Sequence, residues 1–224
     1  MGELRYEQKY FLSQAGYLLL RSRLELAAAK DRHVQTGGAY AIRSLYFDDY
    51  CQSALLDKIE GVERREKFRV RYYNHDPLAL RLESKQKLGA MTRKLTAPLS
   101  YEQGWFLARG QIDCLRDAEH PLLRRFYAQA RLRLLRPAVV VDYERVPFVF
   151  EDVRITFDRY LRSGRYGTGF LDLDLPTVPV LPPDRDILEV KFDRALPDTF
   201  RRILRSAPAQ ACAISKYQLC RAVQ

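Results

Sequence analysis

The feature that most constrains this fold is the alternation of apolar and charged residues, clearest in LALRLESKQK at residues 78–87. The apolar set is Leu78, Leu80 and Leu82, and the charged set is Arg81, Glu83, Lys85 and Lys87. Successive side chains of a β-strand point to opposite faces, so this stretch predicts a strand with one apolar and one charged face. Such a face can be solvated, or it can line a site that needs cations.

The same alternation recurs along the chain. The polar faces comprise Arg5, Glu7 and Lys9; Arg69 and Arg71; Tyr143 and Arg145; Arg154, Thr156 and Asp158; and Glu189 and Lys191. For any single strand a solvated face is an adequate explanation. Side by side, however, several faces rich in Arg and Lys would repel one another unless they faced a polyanion. A sheet closed into a barrel would gather these side chains around one lumen.

The charge balance also indicates a polyanionic partner. The chain has 38 Lys and Arg against 28 Asp and Glu, a net charge of +10. Nucleic acid, a phosphorylated small molecule, polyphosphate and an acidic membrane all fit that charge. A nucleic-acid binder would interleave exposed aromatic residues with its cations, whereas most Tyr and Phe residues here alternate onto apolar faces. We therefore expect no nucleic-acid partner.

Several other classes of function lack support. The four cysteines have no CxxC spacing and the three histidines are scattered, so neither a zinc site nor a Ser-His-Asp or Cys-His set is expected. The longest apolar runs, YLLL and AVVV, are far too short to span a bilayer. With no apolar leader near the first residues, we expect a cytoplasmic protein without a transmembrane segment.

Periodicity and turn signals predict one α+β domain over residues 1–224, built on antiparallel strands. The predicted strands are 4–12, 39–49, 67–74, 79–87, 91–100, 138–150, 153–162 and 186–193, with a further short strand at 169–175. The predicted helices are 13–30, 50–61, 101–109, 121–135, 197–206 and 214–222. Ser13 is a predicted N-cap, Ser100 and Gln103 form a capping box, and Pro121 opens a helix.

A family resemblance rests on short motifs that occur in order along almost the whole chain. They are RYEQKYFL, SLYFDD, FRVRYY, LESKQK, YERVPF, VRITFD, LEVKF and SKYQLC. In their order and spacing they resemble the VTC-type polyphosphate polymerase domain, a branch of the CYTH-like triphosphate tunnel metalloenzymes. The resemblance implies a closed eight-stranded antiparallel β-barrel with surrounding and C-terminal helices, whose tunnel binds triphosphate.

The resemblance also implies roles for individual residues. The implied catalytic and phosphate-binding residues are Lys9, Arg69, Arg71, Lys85, Arg145, Arg154 and Lys216. Further implied phosphate contacts are Tyr143, Lys191, Ser215 and Lys94, although MTRKLTAP leaves open whether Arg93 or Lys94 faces the tunnel. Glu189 and Glu7 would be the metal ligands, for Mn²⁺ or Mg²⁺.

The implied function is transfer of the ATP γ-phosphate to a polyphosphate chain, and a separate membrane protein is a possible partner. One departure bears on this expectation. Hydrolases of the CYTH branch begin with Glu-x-Glu-x-Lys, whereas Arg5 gives this chain Arg-x-Glu-x-Lys. Losing that carboxylate disfavours metal-activated water and favours holding a phosphate chain. A triphosphatase on the same fold and a non-catalytic polyphosphate or inositol-phosphate sensor stay open as alternatives.

Overall fold

The computed structural model describes residues 4–30, 38–164 and 168–224. Its strands are β1 (Leu4–Ser13), β2 (Ala29–Lys30), β3 (Tyr40–Asp48), β4 (Arg64–Tyr73), β5 (Arg81–Leu88), β6 (Met91–Pro98), β7 (Arg136–Phe150), β8 (Val153–Gly164), β9 (Thr177–Pro179), β10 (Arg185–Phe192) and β11 (Ala209–Ala211). Its helices are α1 (Gln14–Ala27), α2 (Ser53–Ile59), α3 (Tyr101–Ala108), α4 (Pro121–Arg133), α5 (Asp198–Arg205) and α6 (Lys216–Arg221).

Eight of these strands close into an antiparallel barrel. Their order around the wall is β7-β3-β4-β5-β6-β1-β10-β8, and pairing between β7 and β8 completes the ring. The short strands β2, β9 and β11 add to β7, β8 and β1. A closed ring leaves its long strands without free edges. The closed eight-stranded barrel expected from the sequence is confirmed.

The barrel is apolar on its outside and polar inside. On β4, Phe68, Val70 and Tyr72 are buried in one cluster with side chains of α3 and α4, and the Phe68 ring lies 5.2 Å from that of Phe126. A second cluster packs α1 and α5 on β7, β8 and β10. Full burial of each large apolar side chain contributes about 1.5–3 kcal/mol. The helices therefore cover the apolar faces, and the charged faces point into the lumen.

Three helices begin at the residues predicted from the sequence. The Ser13 hydroxyl accepts a hydrogen bond from the N–H of Gly16 at 3.2 Å. Ser100 and Gln103 form the predicted capping box, with bonds of 3.1 and 3.0 Å. Pro121 occupies the first position of α4, as predicted. No helix in the described part of the chain is long and apolar enough to cross a membrane.

Two local predictions were wrong. Leu78 lies before β5 rather than in it, and it is 74% exposed. The Asp76 carboxylate accepts the N–H of Leu78 at 3.0 Å, and this side-chain turn replaces the strand ladder. The strand predicted at 169–175 is also absent, because Thr168–Leu171 forms a 3-10 turn and the short strand falls at Thr177–Pro179.

Candidate functional site

The barrel lumen holds a cavity of about 530 Å³. Every site residue predicted from the sequence lines it: Glu7, Lys9, Arg69, Arg71, Lys85, Lys94, Tyr143, Arg145, Arg154, Glu189, Lys191, Ser215 and Lys216. Within the described ranges, the lining holds 15 Lys and Arg side chains against two glutamates. A partly enclosed cavity with that excess of positive charge suits a polyanion.

One wall of the cavity is organised by Glu83 of β5, which is 1% exposed. Its Oε2 atom accepts hydrogen bonds from Nε of Arg69 at 2.8 Å and lies 3.7 Å from Nη1 of Arg71. Burial alone would raise the pKa of Glu83, but Arg69, Arg71 and Lys94 together hold it well below its usual range. The ionised carboxylate therefore fixes the two arginines beside the lumen.

The Arg71 side chain is held from two further directions. Its Nε donates to the Ser44 hydroxyl at 2.8 Å, and its Nη2 donates to the Tyr143 hydroxyl at 3.1 Å. These partners come from β3, the strand before β4 in the chain, and from the distant strand β7. A guanidinium held by three strands loses little entropy when it binds a phosphate group through two donors.

The opposite wall is organised by Asp158 of β8, which is fully buried. Arg145 donates to both carboxylate oxygens, at 2.6 and 2.7 Å, and the Lys216 ammonium pairs with Oδ2. Burial would raise the pKa of Asp158, but Arg145 and Lys216 lower it. Since Lys216 begins α6, this pair also docks the C-terminal helix on the barrel.

Glu189 of β10 lies among four cations. Its carboxylate oxygens are 2.8 Å from Lys216, 3.1 Å from Lys9, and 3.2 Å from both Lys191 and Arg145. Burial opposes ionisation, yet these neighbours hold the pKa of Glu189 well below its usual range. In turn, Glu189 and Glu7 raise the pKa of Lys9 despite its burial. Glu189, Glu7 and Lys9 are therefore charged at neutral pH, whereas burial lowers the pKa of Lys191.

Glu7 offers the best fit to a metal ion. Its Oε2 accepts a hydrogen bond from Lys85 at 2.6 Å, whereas its buried Oε1 accepts none from any described residue. In the described ranges, no three His, Cys, Asp or Glu side chains form a cluster that could hold a metal alone. Mg²⁺ is commonly bound by one or two carboxylates together with substrate phosphates, a donor set that Glu7 and Glu189 can supply.

Arg93 and Lys94 lie on opposite faces of the sheet. The Lys94 ammonium lies 3.1 Å from Oε1 of Glu83, inside the tunnel. The Arg93 guanidinium instead donates to Oε1 of Gln86, at 3.0 and 2.6 Å, on the other face of the sheet, although it still touches the cavity rim. Lys94 is thus the inward residue of the pair.

Some lining residues escaped the sequence prediction. The Tyr46 hydroxyl accepts a hydrogen bond from Arg69 at 2.7 Å, and that of Tyr40 accepts one from Arg154 at 2.9 Å. Lys67 also lines the cavity. Lys67 lies on the same face of β4 as Arg69, so the strand alternation in the sequence could have identified it. Lys58 reaches the cavity from α2, where strand alternation gives no guide.

Comparisons with known proteins agree with this architecture. The family model described as the VTC domain matches residues 4–224. A proposed adenylyl cyclase from Hippeastrum, for which a dominant triphosphatase activity is described, is 13% identical with a TM-score of 0.60, over 99% of this chain and 96% of that one. A proposed adenylate cyclase from Bacillus halodurans is 17% identical with a TM-score of 0.54, over 92% and 91%.

A protein from Pyrococcus horikoshii is 12% identical with a TM-score of 0.52, over 98% of this chain and 99% of that one. No curated protein matches the sequence. At these identities the structural likeness shows the fold alone, because one fold can host many activities.

Proposed function

The chain belongs to the VTC domain family, and on that basis we propose that it is a metal-dependent polyphosphate polymerase, which transfers the γ-phosphoryl group of ATP to a polyphosphate chain in the tunnel. The observation that supports this most is the convergence of cations from both walls and α6 on one cavity. Arginine and lysine held around a lumen bind linked phosphate groups through many charge-assisted hydrogen bonds.

In the proposed reaction a terminal oxygen of the polyphosphate chain attacks the γ-phosphorus of ATP. The bond from that phosphorus to the β,γ-bridging oxygen breaks, ADP leaves, and the chain is one phosphate longer. Arg69 and Arg71 hold the transferring group from one wall, and Arg145 and Lys216 hold it from the other. Phosphoryl transfer of this kind needs alignment and charge neutralisation rather than a covalent nucleophile.

The metal in this proposal is Mn²⁺ or Mg²⁺, held by Glu7 and Glu189 together with phosphate oxygens. When bound, such an ion neutralises charge on the transferring phosphates. The surrounding lysines keep both carboxylates ionised, and therefore able to act as ligands, at neutral pH. Lys9 and Lys191 lie beside both carboxylates, at 3.1 to 3.9 Å, and we assign them to phosphate oxygens when a chain is bound.

A triphosphatase is the second candidate, favoured by the contact that Arg5 makes. Arg5 pairs with Asp193 at 2.9 Å, so part of the positive charge that distinguishes this chain from Glu-x-Glu-x-Lys hydrolases is offset. The two reactions differ only in whether water or a phosphate chain reaches the γ-phosphorus. The products therefore distinguish them.

The test is to incubate the pure protein with ATP and Mn²⁺ and to measure ADP, free phosphate and acid-precipitable polyphosphate together. We expect ADP and polymer with little free phosphate, and we expect EDTA to stop both. Equal amounts of ADP and free phosphate would make the protein a hydrolase. Absence of turnover, together with tight binding of polyphosphate, would make it a sensor.

A further inference from the structure

Four cations lie together at one end of the tunnel. Arg65 of β4 and Lys87 of β5 are direct partners across the two strands. Lys67 follows two residues after Arg65 on the same face, and Lys58 reaches the group from α2. All four belong to the cavity lining. We call them the lysine end.

In the described part of the chain no Asp or Glu forms an ion pair with any member of the lysine end. The rest of the lumen is different, because Glu83, Asp158, Glu189 and Glu7 each pair there with at least two cations. Burial, and then the charge of Arg65, lowers the pKa values of Lys58, Lys67 and Lys87. Like charges placed opposite each other on neighbouring strands are destabilising.

Lys67 is the most constrained member. Its ammonium lies 4.6 Å from the centre of the Tyr217 ring on α6, and that ring is itself fixed by a hydrogen bond from its hydroxyl to Asp48. Burial and the neighbouring cations lower the pKa of Lys67 to about 7. The ring contact holds the side chain at the tunnel mouth, where Asp48 opposes the fall in its pKa although no described carboxylate forms an ion pair with it.

We propose that the lysine end is a second anion site, which binds phosphate units of a polyphosphate chain beyond those held between Glu83 and Asp158. This rests on the proposed function, since it takes the polymer as substrate. Arg65 and Arg71 are six residues apart on β4, about 20 Å of strand. Three linked phosphate groups do not cover that span, whereas a longer chain does. The site would make affinity depend on chain length.

The test compares binding of inorganic triphosphate and of long-chain inorganic polyphosphate by calorimetry at constant salt. In Lys67→Met we expect affinity for the long chain to fall about tenfold, the effect of one charge-assisted contact. Affinity for triphosphate should change less than about twofold. Lys67→Arg, which keeps the charge, should retain long-chain affinity. Arg131→Met, on the exposed side of α4, is the matched control for loss of one positive charge.

Equal losses for the two ligands would overturn the inference, because Lys67 would then belong to the triphosphate site. Unchanged long-chain affinity in Lys67→Met would also overturn it, and would leave the proposed function standing. If the unmodified protein bound neither ligand, the proposed function and this inference would both fail. A loss confined to the long chain, restored in Lys67→Arg, is the result that supports the second site.

Discussion

The two parts of the tunnel hold positive charge in opposite ways. Around Glu83 and Asp158, five cations each have a buried carboxylate partner, so their side chains are fixed before any ligand arrives: Arg69, Arg71, Lys94, Arg145 and Lys216. At the lysine end the cations face one another, and none of them forms an ion pair with a carboxylate in the described part of the chain. In the first arrangement the carboxylates fix the positions of the cations but offset part of their attraction for an anion. In the second arrangement the cations attract an anion more strongly, but their repulsion lowers the stability of the ligand-free protein.

The largest effect is expected for Asp158→Asn, which removes one of the two buried carboxylates that pair with Arg145 and Lys216 and leaves them Glu189 alone. Removing one member of a buried ion network destabilises a protein by about 3–5 kcal/mol. Urea unfolding at pH 7 should show a loss of that size. The control is Glu25→Gln on α1, whose side chain is 39% exposed and pairs with Arg21 of the same helix, with an expected loss below about 1 kcal/mol.

The pH dependence of the unfolding free energy gives a second test of the Asp158 network. The pKa of Asp158 is lowered in the folded protein, so its stabilising effect is present above the unfolded-state pKa and is lost as the pH falls through the folded-state value. The stability gap between the unmodified protein and Asp158→Asn should therefore narrow in acid. Similar losses in Asp158→Asn and Glu25→Gln at pH 7 would show that the Asp158 network does not hold the wall together.

The next largest effect is expected for Arg71→Ala in the paired part of the tunnel. Loss of one preorganised donor to the transferring group lowers kcat/KM by about 10²–10³-fold, or roughly 2.7–4 kcal/mol. Steady-state ADP release with Mn²⁺ measures it. Arg81 lies directly opposite Arg71 across β4 and β5 but is exposed, so Arg81→Ala is the matched control and should change little. An unchanged rate in Arg71→Ala would remove this residue from the mechanism.

The smallest expected effect is a change in thermal stability when a cation is removed from the lysine end. Lys67→Met should raise the Tm of the ligand-free protein by roughly 2–4 °C at pH 6, since a buried charge is removed from repulsive surroundings. The charged groups and the ring that face Lys67 are Arg65 on its own strand, Asp48 on β3, Lys58 on α2, Lys85 on β5 and Tyr217 on α6. Lys67→Arg keeps the charge and should give no gain.

The pH dependence of that gain has a defined direction. The pKa of Lys67 is about 7 in the folded protein and higher in the unfolded chain, so the unfolded state binds more protons between those values. Stability of the unmodified protein therefore rises with pH above about 7, and the advantage of Lys67→Met shrinks toward pH 10. A gain that stays constant with pH would mean that the charge of Lys67 is not its cause.

The inward faces could be predicted from the sequence, because strand alternation has a fixed period of two. Arg71 and Glu189 illustrate this, since each faces the lumen as its strand pattern predicts. What alternation cannot give is the pairing of distant strands. The roles of Glu83 and Asp158 depend on which cations the register brings to them. Lys58 was missed because it comes from a helix, so the lysine end could not be identified from strands alone.

The central claim is that the tunnel is a site for linked phosphate groups. The polymerase, hydrolase and sensor hypotheses all depend on it. Titration of inorganic triphosphate into the pure protein by calorimetry tests that claim most directly. We expect saturable binding at one site, weakened by added salt and lost in Arg71→Ala but retained in Arg81→Ala. Absence of saturable binding, or equal binding by both variants, would contradict the account.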